Sequence, residues 1–275
     1  MFPNDKSAYP SIGLTRPAPL LQWAAMKKLI YCLLFAMTLQ GAWAKHIVFI
    51  IAEREYKTAE TVPAYFEEHL KPLGFTGTFI TAPHDGNERN DLKGLDKALE
   101  KADLVFLSVR RRAPTTAQME AFKKYIATGK PLVGIRTASH AFDIKKDSPK
   151  GHGQWQTLDP EILGGHYNGH YSNKIESKWQ TLATARNHKI LEGVPGKVFT
   201  TKGSLYRVSP LESTATPLVT ARAEGIDDEQ PVAWTNKPAS GNKVFYTSLG
   251  HVNDFENPAF VKLLTNAIHW AMSCE

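Results

Sequence analysis

Groups able to do chemistry concentrate in a few short segments of this chain. In LVGIRTASHAF (132–142) an apolar run ends in Arg136, and Ser139 and His140 follow within four residues. In KVFYTSLGHVNDF (243–255) another apolar run ends shortly before His251. An imidazole exchanges protons near neutral pH, so either histidine is a candidate acid or base. An arginine that closes an apolar strand is expensive to bury alone and demands an anionic or polar partner. A salt bridge to Glu53 or Glu55 is the structural expectation for Arg136. Stabilising negative charge that develops on a substrate is the functional one.

A third segment, GGHYNGHY (164–171), carries His166 and His170. Four-residue spacing on a helix would turn both toward one metal ion, but Gly164, Gly165 and Gly169 oppose a helix and no HExxH pattern is present. Stacking of a sugar on Trp155, Tyr167 and Tyr171 is the favoured expectation, with a divalent metal at His166 and His170 the alternative. The run Arg110, Arg111, Arg112 closes a further apolar segment, and at least one of the three is expected to point into a cleft. No glycine-rich dinucleotide fingerprint follows any candidate strand, so no nucleotide cofactor is expected.

These groups need a scaffold, and the apolar pattern supplies one. Segments 46–52, 75–81, 104–109 and 132–135 read as strands, the first nearly all apolar and β-branched as in a strand covered on both faces. Between them, 58–70, 95–101 and 115–128 read as helices, with Thr58 and either Thr115 or Thr116 as caps and Gly129 as a stop. Strands alternating with helices predict a parallel sheet with right-handed crossovers, in which ligands bind at the carboxyl ends of the strands. The first, third and fourth strands are expected side by side, bringing Glu53, Arg110 and Arg136 to one cleft. His140 is expected to open a helix. From 145 to 173 the pattern lapses, and a loop of that length inside a domain is usually functional; here it is expected to roof the cleft. Strands with hairpin-like spacing follow at 174–179, 218–221, 232–234 and 243–248, and Pro258 opens a closing helix to about Met272.

The amino terminus stands apart. Lys27 and Lys28 precede an apolar run (29–39) and then Ala42, Trp43, Ala44, the three parts of an export signal with a small-residue cleavage site. Residues 26–44 are therefore expected to be a signal peptide, residues 1–25 an upstream disordered extension, and residues 45–275 a single domain in a periplasmic or secreted protein that does not stay inserted in a membrane. Removing Lys6, Arg16, Lys27 and Lys28 against Asp5 lowers the formal charge from +6 to +3. Nothing in that charge or in its distribution calls for nucleic acid. One of the two cysteines, Cys32, lies in the signal and the other is Cys274, which rules out an intramolecular disulfide in the mature chain.

With these residues in view, the sequence resembles the ThuA-like family, named for trehalose utilisation, within the class I glutamine amidotransferase-like superfamily. The resemblance rests on EYKTAET (55–61), RRRAPT (110–115), GKPLVGIRTASHAF (129–142), ILGGHYNGHY (162–171), PVAWTN (231–236) and KVFYTSLGHVNDFENPAF (243–260). It implies an α/β fold, a flavodoxin-like three-layer α/β/α sandwich with a mainly parallel central sheet. Amidotransferases of this superfamily place a nucleophilic cysteine after a strand ending in GxC. Here GIR puts Arg136 in that place, so no thioester can form there. Ser139 lacks a GxSxG elbow. Many family members also carry an acidic pair and then a tyrosine after an HPI-like segment; the matching stretches here are HKIL (188–191) and GSLY (203–206), without the acidic pair.

The resemblance further implies a role in carbohydrate use, in some accounts with sugars oxidised at C3. A 3-keto group acidifies the neighbouring hydrogen, so a base and an oxyanion stabiliser suffice to break a glycosidic bond by elimination. His140 and His251 are the candidate bases and Arg136 the stabiliser, all three lining one pocket. Glu53, Tyr56, Arg110, Ser139, Trp155, His166, Tyr167 and His170 are the candidate substrate contacts. A non-catalytic sugar-binding module and a metal-dependent hydrolase centred on the histidine loop are the competing readings. Replacing Arg136 or His251 is expected to lower turnover about a hundredfold with the fold intact.

Overall fold

The computed structural model describes residues 44–273, apart from the side chain at position 87. The extension expected over residues 1–25, and the signal expected over 26–44 except for its last residue, lie outside the described residues. One nine-stranded sheet organises the rest. Its strands are β1 (His46–Ala52), β2 (Thr76–Thr81), β3 (Leu104–Val109), β4 (Leu132–Ile135), β5 (Ser177–Thr181), β6 (Phe199–Thr201), β7 (Ala215–Ala223), β8 (Glu229–Asn236) and β9 (Val244–Thr247). They lie in the order β2-β1-β3-β4-β9-β8-β7-β5-β6.

From β2 to β9 every pairing is parallel; from β9 to β6 every pairing is antiparallel. The expectation of a mainly parallel sheet thus holds in part: the half from β2 to β9 is parallel and the rest antiparallel. The physical reason is the connections: helices return the chain between the early strands, whereas the segments joining β5 to β8 are too short or too irregular for a crossover. The expected neighbours β1, β3 and β4 do lie side by side.

The strand pattern explains the layering. β1, β3, β4 and β9 are buried along almost their whole length, and alternate residues point to opposite faces. Ile47, Phe49 and Ile51 enter one apolar cluster and Val48, Ile50 and Ala52 the other. The first cluster is covered by α1 (Thr58–Tyr65) and the closing helix α4 (Pro258–Met272), through Val62, Tyr65, Phe260, Leu263 and Leu264. The second is covered by α2 (Leu95–Lys101) and α3 (Thr116–Ala127), through Leu95, Leu99, Met119 and Phe122. Three layers result.

Two local expectations change. Thr58 does not cap α1: Lys57 takes the cap position in a left-handed conformation, Thr58 is the first helical residue, and beyond Tyr65 the chain continues as a π-turn to Leu70. Thr115 does cap α3, in a capping box with Gln118. After β4 there is no long helix from His140 but a single 3-10 turn, Arg136–His140.

Candidate functional site

The turn after β4 starts from a strained residue. Arg136 has φ 46°, a left-handed value that costs a non-glycine residue about 1 kcal/mol or more. It is affordable because the turn is pinned: Tyr246 Oη donates to the Arg136 carbonyl at 2.6 Å. Gly134 lets the turn fold back on its own strand, since a Cβ there would sit 3.2 Å from both Ala138 Cβ and the Tyr246 ring.

The Arg136 side chain is buried, only 2% exposed. Nη1 donates to the carbonyls of Ser204, at 3.2 Å, and of Ser248. Nη2 donates to Tyr56 Oη at 2.8 Å and reaches Ser204 Oγ at 3.4 Å. The guanidinium lies over the rings of Tyr56 and Tyr206, at 4.2 and 4.4 Å from their centroids. Gly203 makes room for it: a Cβ there would stand 3.0 Å from Nη1. Burial works against the charge, but Tyr206, Tyr56 and Asp254 outweigh it and hold the pKa above the ordinary arginine value.

No salt bridge joins Arg136 to Glu53 or Glu55. Glu53 instead organises the start of α1: its carboxylate accepts the backbone N–H of Tyr56 (2.8 Å) and of Thr58 (2.7 Å) and the Thr58 hydroxyl (2.6 Å). Glu55 pairs with Arg110 at 3.2 Å on the surface. Arg136 is therefore a keystone tying the turn to the loops after β6 and β9 and to Tyr56, and its four Nη contacts are already used inside the protein. That revises two expectations. It does not present its guanidinium to a pocket, and its replacement should disturb the fold.

His140 is also buried, with Nδ1 3.1 Å from Ser139 Oγ and its ring stacked on Tyr167 at 4.3 Å and 23°. Burial first, then the positive charges of Arg111, Arg110 and Arg136, bring its pKa down to about 3. It is neutral at any physiological pH. Ser139 Oγ also lies 3.5 Å from the Arg136 carbonyl, and a hydroxyl turned to that carbonyl would accept from His140 Nδ1–H. That tautomer bares the Nε2 lone pair.

His140 and Ser139 line a cavity of about 310 Å³ with Asp159, His166, Tyr167 and Asn168 among its walls. His166 Nε2 pairs with Glu212 at 2.9 Å. Asp159 accepts the backbone N–H of Tyr167 at 2.7 Å through Oδ2, while Oδ1 is buried without a partner. Burial drives its pKa up to about 7, against the pull of the Tyr167 N–H and His166.

His251 belongs to the same strand edge but to the other flank of Arg136. Its ring meets Tyr56 edge-on at 6.1 Å, whereas His140 lies 6.0 Å from Tyr206. His251 Nδ1 accepts the Asn253 N–H at 3.3 Å as the cap of a short 3-10 turn. The neutral ring then carries its proton on Nε2 and offers a donor rather than a base. Burial, and Arg136 with it, lowers its pKa despite Asp254.

The loop expected to roof the site is fastened at both ends, through bridges Thr115–His152 and His170–Tyr206. Tyr167 and His170 reach Tyr206, at 4.8 and 6.2 Å between ring centroids. His170 Nδ1–H donates to the Tyr171 carbonyl at 2.6 Å. Trp155 does not join this group; it packs edge-on against Phe122 and donates to Glu161. Among the described residues no three or more His, Cys, Asp or Glu side chains are grouped to hold a metal ion.

Sequence reasoning passed over Tyr206, Asp159 and Tyr246. Only Tyr206 left a trace, as the tyrosine of GSLY, three residues after the glycine that admits Arg136. The others are visible only after folding.

The layers and the strand order define a three-layer α/β sandwich in which the central strand β4 runs into a buried arginine. The chain belongs to the ThuA family, described as trehalose utilisation, whose profile matches residues 47–271. Among solved structures it is similar to a putative ThuA-like protein from Parabacteroides merdae ATCC 43184, with a TM-score of 0.55 and 15% identity over 84% of this chain and 90% of that one. It is also similar to the mmIFT52 N-terminal domain, with a TM-score of 0.50 and 12% identity over 84% and 99%. At such identities these likenesses speak to the fold alone. No curated protein shows significant similarity to the chain. Family membership supports a general role related to carbohydrate utilisation.

Proposed function

We propose that this protein acts on glycosides bearing a ring ketone, 3-keto-glycosides, and cleaves them by elimination at the carboxyl edge of the parallel strands. The observation that carries this is His140: a neutral imidazole, tautomerically set by Ser139, stacked on Tyr167 and lining a cavity. His140 Nε2 takes the proton from C2, the electron pair forms the C1–C2 double bond, and the C1–O bond breaks. The imidazolium, acidic in this setting, returns its proton to the departing oxygen. Water then adds to the unsaturated ketone.

So low a pKa makes His140 a weak base. The ketone's acidifying effect and the positive field of Arg110, Arg111 and Arg136 on the enolate offset that weakness. His251 Nε2–H and the phenol groups supply donors at the same edge, and Arg136 acts as a positioning residue by holding Tyr56 and Tyr206. The leader-like pattern over 26–44 supports action outside the cytoplasm, in the periplasm or medium; intact mass of exported protein starting at Lys45 is the expected result, and a cytoplasmic product retaining Met1 would refute it.

The deciding assay offers purified protein 3-keto-glucosides and unoxidised disaccharides, with and without chelator. Turnover of keto substrates alone is expected, lowered about a hundredfold in His140→Phe, which keeps a ring against Tyr167 and is assayed below its own melting temperature. Chelator-sensitive hydrolysis, or binding without turnover, would refute elimination in favour of a metal hydrolase or a binding module.

A further inference from the structure

The arginine run closing β3 divides its work. Arg111 has a left-handed backbone, φ 49°, so successive side chains leave in different directions. Arg110 meets Glu55, and Arg111 donates to the Asp143 carbonyl at 2.9 Å. Arg112 turns inward: it is only 4% exposed, and its Nε has no hydrogen-bond partner. Among the described residues no carboxylate lies within ion-pairing distance of it. A buried guanidinium left in this state is costly, and neither the packing of the sheet nor the sugar chemistry explains it.

Arg112 lines a crevice of about 460 Å³ beyond the carboxyl ends of β1 and β3, shared with Arg54, Asp85, Arg89 and Arg110. In the order β2-β1-β3 the chain leaves β1 for one neighbour and returns on its other side. Such a switch point is where open α/β sheets bind ligands. The acids around the crevice are spoken for: Glu53 by α1, Glu55 by Arg110, and Asp85 by Arg54 at 3.4 Å. Arg89 and Arg112 are left facing the same space. Burial, with repulsion from Arg89 and Arg110, outweighs the attraction of Asp85 and Glu53 and lowers the Arg112 pKa to about 10.

We propose that this crevice binds an oxyanion, a phosphate or carboxylate group, with Arg112 as the buried anchor and Arg89 and Arg110 at the rim. A planar guanidinium suits either group through paired N–H donors. The site stands independently of the elimination chemistry, and either reading can fail without the other.

Titration calorimetry and melting curves with inorganic phosphate, against chloride of equal ionic strength, test it. A saturable, phosphate-specific rise in melting temperature is expected for the parent. Arg112→Met should lose that rise and weaken binding about tenfold or more, and Arg89→Gln, altered at the exposed rim where folding is not at stake, should weaken it severalfold. Glucose 6-phosphate and glucuronate, titrated alongside, identify the source: tighter binding than phosphate means an anion carried by a sugar, equal binding a free anion. No saturable gain with any of the three probes, or a gain that survives both substitutions, would overturn the proposal.

Discussion

Replacing Arg136 by methionine separates a keystone from a surface catalytic group. The substitution keeps a long, unbranched apolar stem and the same backbone strain, and removes only the guanidinium. Two buried carbonyls, of Ser204 and Ser248, then lose their donors, at about 1–3 kcal/mol each. The contacts over Tyr56 and Tyr206 contribute roughly 1–2 kcal/mol each in a desolvated setting. Relief of the desolvation penalty on the guanidinium offsets several kcal/mol of this. A net loss of about 3 kcal/mol is expected, which for a domain of this size lowers the melting temperature by roughly 6–12 °C. Thermal and urea unfolding followed by circular dichroism provide the measurement. Arg136→Lys should fall between, because an ammonium keeps the charge but cannot span both carbonyls and Tyr56 at once. If Arg136→Met melts with the parent or above it, the guanidinium is not holding the turn and the keystone reasoning fails.

The same reasoning reaches two other buried groups. Glu53→Gln puts an amide N–H where the carboxylate accepts Tyr56 or Thr58, so at least one donor is orphaned and urea unfolding should show a loss of about 1–3 kcal/mol; an unchanged midpoint would mean that the carboxylate does not organise α1. His140 is neutral in the fold down to about pH 3 and titrates near 6.5 when unfolded, so the unfolded chain binds the extra proton between those values. Stability from this group is present above pH 6.5 and is lost as pH falls toward 3, by up to about 1.4 kcal/mol per pH unit. Asp159, raised to about 7, acts with the opposite sign over much of that window, so the quantity to measure is the difference between the parent and His140→Phe. That difference should shift steadily in favour of the variant from pH 6.5 to 4, and a difference independent of pH would show that His140 is not buried as described.

Much of the architecture was legible in the sequence because burial writes a local pattern. β1, β3 and β4 are continuous apolar runs, since a strand covered on both faces has no polar side to show, and α2 and the closing helix begin and end where periodicity and Pro258 place them. The positions of Arg136 and His251 at strand ends were equally plain. Where the sheet turns antiparallel was not, because the strand at the turn, β9, is placed by its parallel pairing with β4, whose residues lie 112 positions earlier, Leu132 opposite Val244. The partners of Arg136 were decided by tertiary structure alone: Tyr56, Ser204, Tyr206 and Ser248 stand 68 to 112 residues away, and their approach depends on loops that carry no periodic signal. Sequence specified that a charge would end a buried strand. Only the fold could decide that carbonyls and aromatic rings would hold it while a carboxylate such as Glu53 was spent on a helix start, because the desolvation that sets this choice exists only once all the layers are in place.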